Sequence, residues 1–245
     1  MTRVLLILWP AFLVGAVGLY AASRKVAPAV RRERLTKFVT YFCIVNGLLL
    51  GAFAGRIVFS GIMLVVAVLG ARELIAVLPA ASGGRRSAAW AMGAAYLAIA
   101  VGAVLFAWRA RAEVAAVAYL VVCTFDGFSQ VTGQLLGRHK LTPRLSPGKT
   151  IEGSVGGLLF AVGMAFLLRP VAGWSVSRCL EIACFLAVVS LVGDLLASYV
   201  KRRSGIKDFG RLLPGHGGIL DRFDSFLFAA AAWSVAAAVA QAGLR

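Results

Sequence analysis

Two carboxylates three residues apart, Asp221 and Asp224 in "HGGILDRFDS", stand directly ahead of the apolar run "FLFAAAAWSVAAAVA". On a helix that spacing leans both to one face, where they repel unless a cation lies beside them. Asp194, in "GDLLASYVKRR", precedes Lys201 by two helical turns, so its carboxylate, the Ser198 hydroxyl and the lysine ammonium share one stripe. Hard oxygen ligands without a His/Cys cluster suit Mg²⁺, which takes one or two carboxylates and completes its shell with water and phosphate oxygens. Asp221 and Asp224 serve equally well as a negative first turn at a helix N-terminus.

The neighbours of these carboxylates suit an anion. Glycines in "PGHGG", with His216, Gly217 and Gly218, let backbone N–H groups come close to a ligand, and a helix starting there aims its positive end outward. A second segment, "GRHKLTPRLSPGKTIEGSVGG", again places bases and hydroxyls before a glycine-rich helix start. Its "GKT" is no P-loop, because Pro143 stands where that motif needs glycine. Thr150 with Glu152, and Ser146 with Pro147, read equally as plain helix-start chemistry. Asp126 and Asp194 fall inside apolar runs, where a carboxylate costs ~2.5 to 3.5 kcal/mol on insertion scales and so faces a cavity, a cation or a partner such as Arg72 or Arg222.

The elements that must hold these groups are membrane helices. In 245 residues, 60% are hydrophobic and 15% charged, with mean hydropathy +0.87, so a soluble domain is excluded and the fold class is all-α, a polytopic integral membrane protein. Apolar runs predict about eight spans, near 4–22, 38–54, 57–78, 88–108, 114–136, 153–168, 178–199 and 219–241, with room for a ninth element between 200 and 218. The first is read as a retained span rather than a signal peptide. Two stretches of one continuous membrane domain are distinguished, N-terminal helices over 1–113 and catalytic helices over 114–245. Four cysteines without a CxxC pair, and two histidines, support neither a disulfide framework nor a zinc cluster. Net charge +16 sits in short loops, which points to topology and phosphate surfaces rather than nucleic acid. Alternate loops sort seventeen Lys and Arg to one side, Lys25 among them, against seven on the other, Arg245 among those. The loops 137–152 and 200–217 therefore face the cytoplasm, with both termini outside.

The stretch "SYVKRRSGIKDFGRLLPGHGGILDRFD" resembles the C-terminal signature of the CDP-diacylglycerol synthases, also called phosphatidate cytidylyltransferases. The match runs through Ser198, Lys201, Arg202, Lys207, Asp208, Pro214, His216, Gly217, Gly218, Asp221, Arg222 and Asp224. A second family segment is similar to "DGFSQVTGQLLGRHKLTPRLSPGKTIEGSVGG", through Asp126, Gly137, Arg138, Lys140, Ser146, Pro147, Lys149, Thr150, Glu152 and Gly153. Gly148 replaces a common lysine, and polar Gln130, Thr132 and Gln134 stand where the family has more aromatic residues. The resemblance covers roughly 120–228, with a weak echo in "ARELI" around Glu73. It implies a helical membrane enzyme, usually a homodimer, in the cell membrane with its site open to the cytoplasm. The implied reaction joins CTP and phosphatidate into CDP-diacylglycerol and pyrophosphate with Mg²⁺. Asp194, Asp221, Asp224, Lys201 and Lys149 then carry the chemistry, with Asp194 and Asp221 as first-choice Mg²⁺ ligands, Asp224 as a third ligand or an orienting neighbour, and a second cation nearby. Asp126, Arg138, Ser146, Thr150, Glu152, Ser198, Arg202, Lys207, His216, Gly217, Gly218 and Arg222 bind substrate. The alternatives are a cytidylyltransferase or kinase for another lipid, such as an isoprenoid glycerol phosphate or polyprenol, and an ion-coupled transporter using Asp126 and Asp194.

The charge asymmetry generates a test of orientation. A single cysteine placed at Arg144 or Gly205 in a cysteine-free background is expected to react with an impermeant maleimide only from the cytoplasmic side. Labelling of either position in intact cells contradicts that orientation.

Overall fold

A computed structural model of the chain describes residues 1–24 and 27–242; Lys25 and Arg245 of the charge count lie outside the described residues. The helices are α1 Thr2–Ser23, α2 Pro28–Phe53, α3 Arg56–Ala81, α4 Arg86–Arg109, α5 Ala112–Leu136, α6 Ile151–Leu167, α7 Arg169–Ala172, α8 Val176–Arg203 and α9 Leu220–Ala242. Each expected apolar run coincides with one of the long helices. Among the described residues six of them, α2, α3, α4, α5, α8 and α9, are long and apolar enough to cross a membrane, and α6 is a shorter apolar helix of 17 residues. The structure thus supports six spans and leaves the count of eight without that support. The further element expected between 200 and 218 is not a helix: the stretch 204–219 is irregular, with one isolated bridge between Leu213 and Gly217.

One departure from an all-helical chain lies at the site. β1 Lys140–Thr142 and β2 Ser146–Thr150 form an antiparallel hairpin in which Lys140 faces Thr150 and Thr142 faces Ser146. The "SPGKT" segment is therefore an extended strand running into α6, and not a turn at Ser146-Pro147. Proline is tolerated there because a two-stranded ribbon has a free edge.

Lipid offers helices no hydrophobic reason to associate, so close approach through small residues does the work. α5 and α6 make the most extensive helix pair. A Cβ at Gly153 would stand 2.6 Å from the Ser129 carbonyl oxygen, one at Gly157 2.6 Å from the Phe125 carbonyl oxygen, and one at Gly156 2.5 Å from the Thr132 side chain. α8 meets α9 in the same way at Gly193, where a Cβ would lie 2.6 Å from Phe228 Cβ. α4 meets α9 at Gly102, within 2.9 Å of Ala231 Cα. These contacts bring the polar faces of α5, α8 and α9 and the end of β2 around one space, with Phe226 of α9 packed edge to face against Phe106 of α4 and Tyr119 of α5.

Gly157→Ala tests the tightest of these seams, because its methyl group would also overlap the Ser129 hydroxyl. The substitution is expected to destabilise the protein by about 1 to 3 kcal/mol. Gly163→Ala, where the added methyl meets nothing within 4 Å, should be near neutral. Thermal unfolding of the two purified variants in one detergent compares them; equal shifts contradict the packing argument.

Candidate active site

The space between α5, β2, α8 and α9 is a cavity of about 440 Å³. Four carboxylates, Asp126, Asp194, Asp221 and Asp224, and three cations, Lys149, Lys201 and Arg222, line it together. Ser146, Thr150, Gln130 and Gln134 complete its polar wall. Residues up to 99 positions apart in the chain thus meet, as their types suggested, and two ion pairs order them. Lys149 Nζ lies 2.5 Å from Asp194 Oδ2, with the side chains 19% and 30% exposed. Lys201 Nζ donates to Asp221 Oδ1 at 3.0 Å, with 14% and 2% exposure. The partner of Asp194 is Lys149 of the hairpin, rather than Arg72 or Arg222.

Asp221 is more heavily used than its place in the sequence suggests. Its Oδ2 accepts the Phe209 N–H at 2.7 Å and the Gly218 N–H at 2.9 Å, so it fastens the 204–219 segment at two points. Asp224 is in no ion pair among the described residues; its Oδ1 accepts the Ser225 N–H at 2.8 Å. The Ser225 hydroxyl in turn faces Asp126. Ser198 Oγ donates to Asp194 Oδ1 at 3.4 Å, one turn away on α8, as the stripe requires.

Several other candidates hold the frame. Thr150 caps α6 by accepting the Gly153 N–H at 3.0 Å, and still lines the cavity. Glu152 accepts the Arg138 and His139 N–H groups at 3.1 and 3.2 Å and meets His139 Nδ1 at 2.6 Å, which pins the start of the hairpin. Arg202 Nε donates to the Leu145 carbonyl at 3.3 Å and ties the hairpin's far end to α8. Arg222 lines the cavity while its Nε donates to the His216 carbonyl at 3.1 Å. Arg138 and Lys207 are exposed and not among the lining residues. His216 is also outside the lining; burial, followed by the nearby Arg222 charge, holds its ring below the ordinary imidazole range, which favours the neutral form.

The glycines of "HGG" have a local use. Gly217 sits at φ 85°, in the left-handed region that favours glycine, and Gly218 leaves room for a carboxylate. That carboxylate is Glu73 of α3. Its Oε1 accepts the Ile219 N–H at 3.0 Å and its Oε2 the Leu220 N–H at 2.8 Å. A Cβ at Gly218 would stand 2.5 Å from both oxygens, and one at Gly210 2.5 Å from Oε1. The first N–H groups of α9 are thus met by the protein's own acid. Sequence reasoning missed Glu73 as part of the site; its signals were an acid inside an apolar run, next to an exposed Arg72, and the weak echo of the family in "ARELI".

The donor set fits a hard divalent cation in its chemistry: every anionic group on the cavity wall is a carboxylate, and hydroxyls fill the gaps. Among the described residues no three His, Cys, Asp or Glu converge closely enough to form a metal-holding group by themselves.

Residues 84–240 match the sequence pattern of the Cytidylyltransferase family. A protein named phosphatidate cytidylyltransferase from Staphylococcus saprophyticus is 48% identical over 116 residues, covering 45% of this chain and 44% of the relative. Proteins of the same name from Staphylococcus haemolyticus and Staphylococcus aureus are 44% and 46% identical over 113 residues, with the same coverage. The chain thus matches less than half the length of these curated relatives.

The unequal burdens of the two "DRFD" carboxylates separate their effects on stability. Asp221→Asn leaves Lys201 without its countercharge and is expected to cost about 3 kcal/mol, because one member of a nearly buried pair has been removed. Asp224→Asn should unfold close to the parent. Thermal melts in detergent, with and without added Mg²⁺, measure both; a smaller loss for Asp221→Asn than for Asp224→Asn contradicts the assignment.

Proposed function

The chain belongs to the cytidylyltransferase family, and on that premise we propose that it transfers CMP from CTP to phosphatidate, giving CDP-diacylglycerol and pyrophosphate. The observation that carries the reading is the single cavity in which Lys149, Lys201 and Arg222 face Asp126, Asp194, Asp221 and Asp224. An oxygen of the lipid phosphate attacks the α-phosphorus of CTP, the new P–O bond forms opposite the bridging oxygen to the β-phosphate, and pyrophosphate leaves with that electron pair. The attacking oxygen is already an anion, so no base is required. What must be overcome is repulsion between two polyanions and their alignment in line.

Asp194 and Asp221, with Asp224 beside them, would hold Mg²⁺, which when bound supplies charge neutralisation for the triphosphate. Lys149 and Lys201 sit on those same carboxylates, so each ammonium is poised to exchange a carboxylate for a phosphate oxygen at little cost in movement. Arg222, anchored through His216, places a fixed guanidinium on the same wall. The hairpin carries Lys149 on a strand, and the Thr150 cap and Glu152 clamp keep it aimed at α8.

The reading includes the membrane setting. Apolar helices place the protein in a bilayer, and the basic loops support the cell membrane with the cavity toward the cytoplasm. The family resemblance supports a homodimer. Gln130 and Gln134 make the cavity wall more polar than the resemblance leads one to expect, which bears on the lipid acceptor.

Purified protein, Mg²⁺, CTP labelled at the α-phosphate and phosphatidate are expected to give labelled CDP-lipid and pyrophosphate, and chelation by EDTA to stop it. Label transfer only to an isoprenoid glycerol phosphate reassigns the acceptor; label appearing in CDP, with a polyprenol phosphorylated from the γ-position, or transfer to no lipid, overturns the reading. Lys149→Ala is expected to lower kcat/KM roughly 100-fold or more. Lys149→Arg should recover part of the loss, since charge matters there more than a forked geometry. Varying CTP and lipid separately shows which substrate Lys149 holds, and wild-type kinetics in Lys149→Ala remove it from the site.

A further inference from the structure

We propose that Glu73 of α3 is a positioning residue for the cavity: by accepting the Ile219 and Leu220 N–H groups it sets the first turn of α9, and with it Asp221, Arg222 and Asp224. The contact joins positions 146 and 147 residues apart and links an N-terminal helix to the start of α9. Two glycines from separate parts of the 204–219 segment, Gly210 and Gly218, close around the same carboxylate with no space for a methyl group. A carboxylate accepting two successive N–H groups fixes both the height and the rotation of a helix start, because each oxygen must meet its own donor. Asp221 is the next residue along, and its Oδ2 takes the N–H of Gly218 just before. Gly218, Ile219 and Leu220 are therefore held by Asp221 and Glu73 as one cap.

The cap has an electrostatic consequence for the site. A helix N-terminus with bare N–H groups attracts phosphate. Here Glu73 satisfies those groups and offsets the positive end of α9. Glu73 lies outside the cavity lining, so it acts through α9 and not by touching substrate.

The inference rests on the proposed transfer reaction for its kinetic readout, and on hydrogen exchange for a readout that needs no activity. Full-length Glu73→Gln and Glu73→Asp, with Arg72→Gln as a neighbouring control, are purified in one detergent. Exchange of peptides spanning 209–222 is expected to quicken at least tenfold in both Glu73 variants and not in the control. With CTP, phosphatidate and Mg²⁺, kcat should fall roughly 10- to 100-fold while KM for CTP stays within about threefold, since a helix displaced by a fraction of an ångström misaligns the reacting groups before it loses them. Gly218→Ala, which presses a methyl on the carboxylate without removing it, should reproduce the pattern and serves where a Glu73 variant fails to insert. Unchanged exchange over 209–222 overturns the cap, and quickened exchange with wild-type kcat overturns the positioning role. A wild-type protein inactive on CTP and phosphatidate sinks the proposed reaction instead, and leaves exchange to judge the cap.

Discussion

A helix that starts among packed helices must find acceptors for its first N–H groups, and at α9 three consecutive donors, Gly218, Ile219 and Leu220, are all buried. An orphaned donor there costs roughly 1 to 3 kcal/mol. Two carboxylates meet the requirement, Asp221 from inside the first turn and Glu73 from α3. Asp221 then needs a countercharge of its own in a place almost closed to water, and Lys201 from α8 provides it. Through that sequence of obligations the irregular segment between α8 and α9 acquires one conformation, although it has almost no regular structure.

The same obligations explain why so many charged groups coexist in an apolar protein. A lone carboxylate in a span is costly, but Asp194 and Asp221 each face a lysine, and Asp126 shares the cavity with Arg222 and a serine hydroxyl. Glycine seams make the sharing possible. α6 lies so close along α5 that the end of β2 is carried over the Asp126 face, and Gly193 brings Asp194 near the first turns of α9. The charges are held near one another by contacts that are themselves uncharged.

What was legible in the sequence follows from the same physics. Hydrocarbon demands long apolar runs with internally satisfied backbones, so the helices could be located from those runs, although α2 begins at Pro28, well before the run near 38–54. The carboxylates were legible because the chain has only ten acids, and the cations were legible through the family resemblance: Asp126, Lys149, Asp194, Lys201, Asp221, Arg222 and Asp224 do meet in one cavity. Contacts between distant segments were not legible. Nothing near Glu73 announces that the N–H groups it accepts lie beyond residue 218, and no local pattern in "RHKLTPRLSPGKT" distinguishes a hairpin from a loop. The glycines of "HGG" were read as leaving room for phosphate, whereas Gly218 leaves room for Glu73. A sequence records that a glycine is needed without recording what comes close to it.

That difference alters how an anion is recognised here. Backbone N–H groups are fixed dipoles, and at this helix start they are spent on the protein's own acids. On the proposed reaction, phosphate recognition would then fall to Lys149, Lys201 and Arg222, of which the two lysines already rest on carboxylates. A site built from paired side chains has no net anion-attracting wall when empty, and it gains one only as a cation engages the carboxylates and frees the ammonium groups. On the proposed reaction, cation and nucleotide binding are coupled by that exchange: each makes the other favourable, and neither polyanion needs to enter against an uncompensated field of four carboxylates.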